Sequence, residues 1–341
     1  MSIATCDMVG LFRQELELCK VREGERVAVL SEVGRDEDRA AAFMIAAREL
    51  GAQVWNINLL PTTGLTVGQR SGNVGRTSLA GNRPAVEALK SADMVIDLTL
   101  MLFSKEQCEI QAAGTRILLV VEPLEVLARL FPTQELQDRV EAGAARLARA
   151  RRLRFTNRVG TDVTYELGDY PVLTEYGFTD TPGRWDHWPS GFLATHGKDS
   201  GVNGTVVMDR GDIMFPFMRY VQEPITLAIR EGRIVAIDGG VDASLARDYM
   251  ASFDDPRAYA VSHIGWGLNQ HARWDYLASG GPTIGMDGRS FCGNVLFSTG
   301  PNAELGGKND TACHLDLPMR GCTLYLDDEP IVKDGAVVAE D

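Results

Sequence analysis

Apolar positions near the start of the chain keep a helical spacing: Met8, Leu11, Phe12, Leu16 and Leu18 fall roughly along one face, with charges between them. Short apolar runs then alternate with helix-like stretches. "RVAVLSE" (26–32), "QVWNINL" (53–59), "DMVIDLTL" (93–100) and "RILLVV" (116–121) read as strands, and "DRAAAFMIAAREL" (38–50) and "RPAVEALKSA" (83–92) as helices between them. Strands separated by helices imply a parallel sheet covered on both faces. From 133 to 152 the chain is rich in helix formers, acidic at its beginning and basic at its end, as the helix macrodipole favours. The pattern predicts an α/β domain over 1–152 and a second domain over 153–341.

The second half has more glycine, proline, tryptophan and turn dipeptides. "REGRIVAIDGG" (230–240) reads as a hairpin-like strand bounded by Gly232 and Gly239. With 341 residues, 45% of them hydrophobic, the chain exceeds the roughly 250 to 300 residues at which single cores stop growing, so two lobes are expected. Gly34 follows the first strand, but "EVGRDEDRA" has no G-x-G-x-x-G pattern and its acids would repel a pyrophosphate. A dinucleotide site is not expected there.

Charge narrows the partners. A formal net charge of -13 disfavours nucleic acid and anionic membrane surfaces, and points to a small ligand. The cysteines at 6, 19, 108, 292, 313 and 322 have no C-x-x-C spacing and read as reduced thiols. The charged N-terminal helix is unlike a signal peptide, and no apolar run reaches membrane-spanning length, so a cytoplasmic protein is expected.

All five histidines lie beyond residue 186, in the half where imidazoles sit among apolar residues. "CHLDLPM" (313–319) reads as a buried strand carrying His314 and Asp316 two positions apart. In a strand, residues i and i+2 share a face, so these two side chains converge while Leu315 and Leu317 point the other way. Taken alone, such a pair is more readily a surface hydrogen bond than a ligand pair. His263 ends an apolar run and precedes two glycines that allow close backbone approach; alone, it is better read as a satisfied core histidine. As a third ligand it would complete two histidines and one aspartate, the facial set of non-haem iron(II) oxygenases. His271, beside Gln270, reads as an exposed helix position.

His187, between Trp185, Asp186 and Trp188, has two readings of equal weight. It is a proton shuttle whose tautomer a carboxylate such as Asp186 helps set, with tryptophans walling a flat ligand, or it belongs to an aromatic packing cluster. Ser298 in "LFSTGPN" is not in a nucleophile elbow; it is a hydrogen-bond donor at a ligand pocket or a turn residue.

The stretches "YGFTDTPGRWDHWPSGF", "EGRIVAIDGG", "SHIGWGLN" and "FSTGPNAELGGKNDTACHLDLPMRGCTLYLDD" resemble the 2,5-dihydroxypyridine 5,6-dioxygenases of bacterial nicotinic acid breakdown, relatives of thermophilic metallo-aminopeptidases. The resemblance is strong from about residue 155 onward and weaker before it. It implies that His263, His314 and Asp316 bind Fe(II), making the second half an α+β metal-binding lobe behind the parallel-sheet α/β lobe. It implies that His187, Glu175 and Ser298 orient the ring and move protons, with Phe103, Ser104, Trp185 and Tyr176 on the substrate side. Phe103 stands in "LMLFSKEQ" where the family carries a histidine; a phenyl ring cannot shuttle a proton, and Ser104 is a weak substitute.

In the aminopeptidases, glutamates in the segments similar to "PSGFLAT" and "SHIGWGLN" help hold two metals. Phe192 and His263 stand in those places here, which favours one metal of the iron class over a pair. Ring opening of a hydroxylated pyridine by dioxygen is therefore the function implied, with a metal-dependent aminopeptidase-like hydrolase as the alternative. A homo-oligomer is also implied.

Overall fold

The computed structural model describes residues 5–61, 75, 77–102, 104–281 and 283–338. Backbone packing gathers them into two compact units: residues up to 133 with Glu175–Ser190 in one, Gln134–Thr174 and the chain from Gly191 onward in the other.

The first unit begins with helix α1 (Thr5–Leu18), which buries Phe12 and Leu16 completely, two of the residues its apolar spacing singled out. Then follow β1 (Arg26–Glu32), α2 (Glu37–Glu49), β2 (Gln53–Leu59), α3 (Arg83–Lys90), β3 (Met94–Asp97), α4 (Lys105–Ala112), β4 (Arg116–Leu119) and α5 (Leu124–Arg129). All four strands pair in parallel in the order β2-β1-β3-β4. The chain then runs through α6 (Gln134–Leu147), β5 (Arg152–Thr156), β6 (Asp162–Glu166) and β7 (Leu173–Glu175), and returns at β8 (Trp185–His187). This three-residue strand pairs in parallel with β4, Leu119 opposite His187, and extends the first sheet to five strands. A strand so short has no periodicity to read, and only the sheet edge identifies it.

The second unit adds β9 (Phe192–His196), β10 (Val202–Met208), β11 (Ile213–Met214), β12 (Arg219–Tyr220), β13 (Ile225–Arg230), β14 (Arg233–Gly239), α7 (Val241–Ala251), β15 (Val261–Gly267), α8 (Met286–Ser290), β16 (Val295–Thr299), β17 (Leu315–Met319), β18 (Thr323–Leu326), β19 (Glu329–Lys333) and β20 (Ala336–Val337). One eight-stranded sheet runs β14-β13-β10-β6-β5-β18-β19-β20. Its β13–β14 hairpin turns at Glu231 and Gly232, both at positive φ (49° and 73°), the twist-matched turn of a two-residue loop. A five-stranded sheet runs β17-β16-β15-β9-β7.

In that second sheet, every residue of β16, β17 and β9 is buried, and six of the seven in β15 are. Strands buried on both faces carry polar side chains only where these have partners or a task. The architecture is thus the expected one: a parallel-sheet α/β unit and a unit built from antiparallel sheets with few helices. Among the described residues, no helix is long and apolar enough to cross a membrane.

Candidate metal centre

His263 on β15, His314 immediately before β17 and Asp316 on β17 offer ligand atoms that all lie within 4.8 Å of one another, and all three residues are buried. Asp316 Oδ1 stands 3.0 Å from His263 Nε2 and 3.2 Å from His314 Nε2. The same-face relation of His314 and Asp316 follows from the strand pleat, with Leu315 and Leu317 buried on the opposite side.

Asp316 Oδ1 makes no hydrogen bond of acceptable geometry, although it is fully enclosed, and neither does His263 Nδ1. A buried carboxylate oxygen that faces two imidazole nitrogens and has no hydrogen bond of its own is what a ligand of a single cation presents. The second ring nitrogen of His314 supports the same reading. Its Nδ1 lies 3.1 Å from the Thr299 carbonyl, so the proton belongs on Nδ1 and the Nε2 lone pair turns toward Asp316. The donor set therefore fits a single metal ion.

A bulge aims His263. On β15 and β16, Val261 pairs with Thr299 and Ile264 with Phe297, so Ser262 and His263 together oppose Ser298 alone. Bulges bend a strand and re-aim side chains, and they leave ladder groups to be satisfied some other way. Here the Ser298 hydroxyl donates to the His263 carbonyl across 2.8 Å. On the other side β15 packs against β9, with His263 opposite His196 and Gly265 opposite Ala194. A Cβ on Gly265 would lie 1.8 Å from the Leu193 carbonyl oxygen, so only glycine fits that crossing.

Arg289 on α8 completes the surroundings. Its Nε donates to Asp316 Oδ2 at 2.6 Å, its Nη1 donates to the Ile284 carbonyl, and its guanidinium lies over the Phe215 ring, 4.1 Å from the centroid. Burial alone would raise the Asp316 carboxyl, but His314, Arg289 and His263 beside it outweigh that and hold the group well below the usual carboxylate range. Burial lowers His263 below the usual imidazole value despite the pull of Asp316, which keeps the ring neutral as a metal ligand must be.

Ser298 is in the second unit with the triad, and its hydroxyl donates to the His263 main chain. The remaining candidates belong to the first unit. Glu175 is buried and accepts a hydrogen bond from the Ser190 hydroxyl at 3.0 Å. His187 is buried at the carboxyl end of β8, 6.4 Å ring to ring from Trp185. Asp186 points to the other face of that strand. Its carboxylate accepts from the backbone N–H groups of Tyr176, Gly177 and His187 and from Arg184, so it braces the loop, and the imidazole of His187 is not what it holds.

Tyr176 is buried beneath the Arg184 guanidinium, 3.9 Å from its ring centroid. Trp188 is enclosed by Phe12, Phe43 and Phe131, so for this tryptophan the packing reading holds. The Ser104 hydroxyl caps α4 by accepting from Gln107 N. Phe103 lies outside the described residues, and His271 is exposed as its polar neighbours suggest.

Sequence reading missed Arg289 and His196. Arg289 is one of the chain's many arginines, in the short stretch "GMDGRSFCG", whose only signal is a charged pair, Asp287 and Arg289, among apolar and small residues. His196 stands without a motif around it in the sequence; pairing with β15 buries it, its ring 6.3 Å from that of His263.

Comparison with known proteins agrees with this geometry. The family model for 2,5-dihydroxypyridine 5,6-dioxygenase matches residues 7–339. A Pseudomonas putida protein named 2,5-dihydroxypyridine 5,6-dioxygenase is 46% identical over 343 residues, covering 99% of this chain and 98% of that protein. The solved structure of the 2,5-dihydroxypyridine dioxygenase from Pseudomonas putida KT2440 superposes with a TM-score of 0.96 at 45% identity, covering 100% of this chain and 99% of that one. Wild-type AmpT from Thermus thermophilus shares the fold at a TM-score of 0.65 and 13% identity, over 97% of this chain and 99% of its own. Matched along nearly its whole length, the chain belongs to the 2,5-dihydroxypyridine 5,6-dioxygenase family and is an enzyme of the ring-cleaving dioxygenase class.

Proposed function

We propose that this enzyme binds one iron(II) ion through His263, His314 and Asp316 and opens the ring of a dihydroxypyridine, converting 2,5-dihydroxypyridine and dioxygen to N-formylmaleamate. The C5–C6 bond breaks and both atoms of dioxygen enter the product, so no external reductant is required. One observation carries the metal assignment: Asp316 Oδ1, buried and without a hydrogen bond, faces two imidazole nitrogens at 3.0 and 3.2 Å. Family membership carries the reaction.

When bound, the iron supplies a template for the reactants and a route for ring electrons to oxygen. The chain's own residues do the rest. The Thr299 carbonyl fixes the His314 tautomer, and the Ser298 hydroxyl holds the His263 main chain in its bulge. The enclosing strands exclude water from the carboxylate. We assign His187 and Glu175 the handling of protons on the substrate hydroxyls, and Trp185, Tyr176, Ser104 and Phe103 the seating of the ring. A homo-oligomer belongs to the same reading, and light scattering on purified protein tests it.

The deciding experiment is oxygen uptake by anaerobically purified, iron(II)-loaded protein on a panel of hydroxylated pyridines, with labelled dioxygen. Loss of the ring's ultraviolet absorption with two labelled atoms in the product is expected. Cleavage of leucyl peptides under argon with zinc or cobalt, and no oxygen uptake on any panel member, would overturn the assignment in favour of a hydrolase.

A further inference from the structure

The two oxygens of the Asp316 carboxylate have different environments. Oδ1 faces the two histidines. Oδ2 accepts from Arg289 Nε at 2.6 Å. We propose that Arg289 is a positioning residue that pins Oδ2, so that Asp316 offers the metal one oxygen only and leaves a coordination position open for reactants. This rests on the metal reading above.

What fixes Arg289 itself is unusually complete for a long side chain. Its Nη1 donates to the Ile284 carbonyl, and its guanidinium plane is seated on Phe215. Phe215 is bound in turn to the strand it serves, because its N–H donates to the Asp316 carbonyl at 2.9 Å. The main chain of Arg289 is tied from the other side. Asn294 Nδ2 donates to the Arg289 and Gly288 carbonyls at 2.9 and 2.6 Å, while Asn294 Oδ1 accepts from Gly267 N at 2.7 Å. The helix bearing Arg289 is therefore latched to β15, the strand that carries His263. Both ends of the arginine are held, and its Nε meets Oδ2.

A carboxylate freed from this contact is able to turn and bind a metal through both oxygens. The Nε contact to Oδ2 opposes that turn, and the guanidinium charge beside it keeps the carboxylate ionised. A bare buried ion pair kept for stability would serve equally well with Oδ1 in a hydrogen bond. Here Oδ1 has none, and the pair is arranged around it.

The test uses Co(II) as a spectroscopic probe in the full-length protein, with Arg289→Met, Arg289→Gln and Arg289→Lys. Wild type is expected to take one Co(II) per chain. The Met and Gln variants should take one as well, with visible absorption shifted as the second oxygen joins the metal. In their iron(II) forms kcat/KM should fall about 10- to 100-fold, the usual scale for groups that orient ligands, mainly through KM. Lysine, which restores a donor to Oδ2, should recover part of both. A folding defect in the Met variant leaves the shorter, neutral Gln variant to decide. Co(II) spectra and KM unchanged in the folded variants, with only melting temperature lowered, would show a purely structural ion pair and overturn the proposal. If wild type itself fails to take one Co(II), the metal reading fails first, and the two failures are told apart.

Discussion

Ser298 and His263 face each other across a bulge, and the serine hydroxyl donates to the histidine's main-chain carbonyl at 2.8 Å. The contact joins a local irregularity in the sheet to the placement of a metal ligand. Ser298→Ala would leave that buried carbonyl unpaired, a loss of about 1 to 3 kcal/mol. We expect a lowered melting temperature and weaker metal retention on dialysis, with the KM for dihydroxypyridine little altered. A variant with wild-type stability and metal affinity would show that the bulge holds without the hydroxyl.

Replacing Asp316 removes more than a ligand. Asp316→Ala strips the buried Arg289 of its acceptor, and an uncompensated buried charge costs about 3 to 5 kcal/mol. Asp316→Asn keeps the shape and loses the charge. Both should be isolated without stoichiometric iron, as should His263→Ala and His314→Ala, and elemental analysis against protein concentration checks this. Full iron content in any of the four would remove that residue from the ligand set.

For His187 the proton-transfer and packing readings give opposite results. As a general acid or base, it should cost turnover roughly 10²-fold or more in His187→Ala while iron content persists. Unchanged turnover with a lower melting temperature would place it with Trp188 among the packing residues. Trp188→Ala, by comparison, should cost about 3 to 5 kcal/mol, because it empties the space between Phe12, Phe43 and Phe131.

A pH dependence follows from Asp212. Burial pushes this carboxyl up to about 6, only partly offset by the backbone N–H groups of Arg320 and Asp209 that it accepts from. The folded protein then keeps a proton that the unfolded chain releases between the ordinary carboxylate range and about pH 6. Its contribution to stability is full below that window and is lost as pH rises through it. Subtracting the denaturation profile of Asp212→Asn from that of wild type should leave a slope falling between about pH 4 and 6, and a flat difference would remove the shift.

Apolar runs were enough to specify the first unit's β1 to β4: β1, β3 and β4 are buried as a parallel sheet covered on both faces demands, β2 at the sheet edge is only partly buried, and the helices between them carry their own 3.6-residue period. The strand pleat likewise placed His314 and Asp316 on one face, since a two-residue period needs no partner to be read. The sequence by itself thus determined the layers, the His-x-Asp pair and, through the resemblance of its second half, the family. It could not show that β8 joins the first sheet, that the serine of "LFSTGPN" faces a bulge, or that Arg289 reaches Asp316 from 27 positions away. Those facts depend on which strand edges meet and how a carbonyl or carboxylate is satisfied once water is excluded. Contacts between distant segments have no period along the chain, so only the folded tertiary structure decides them.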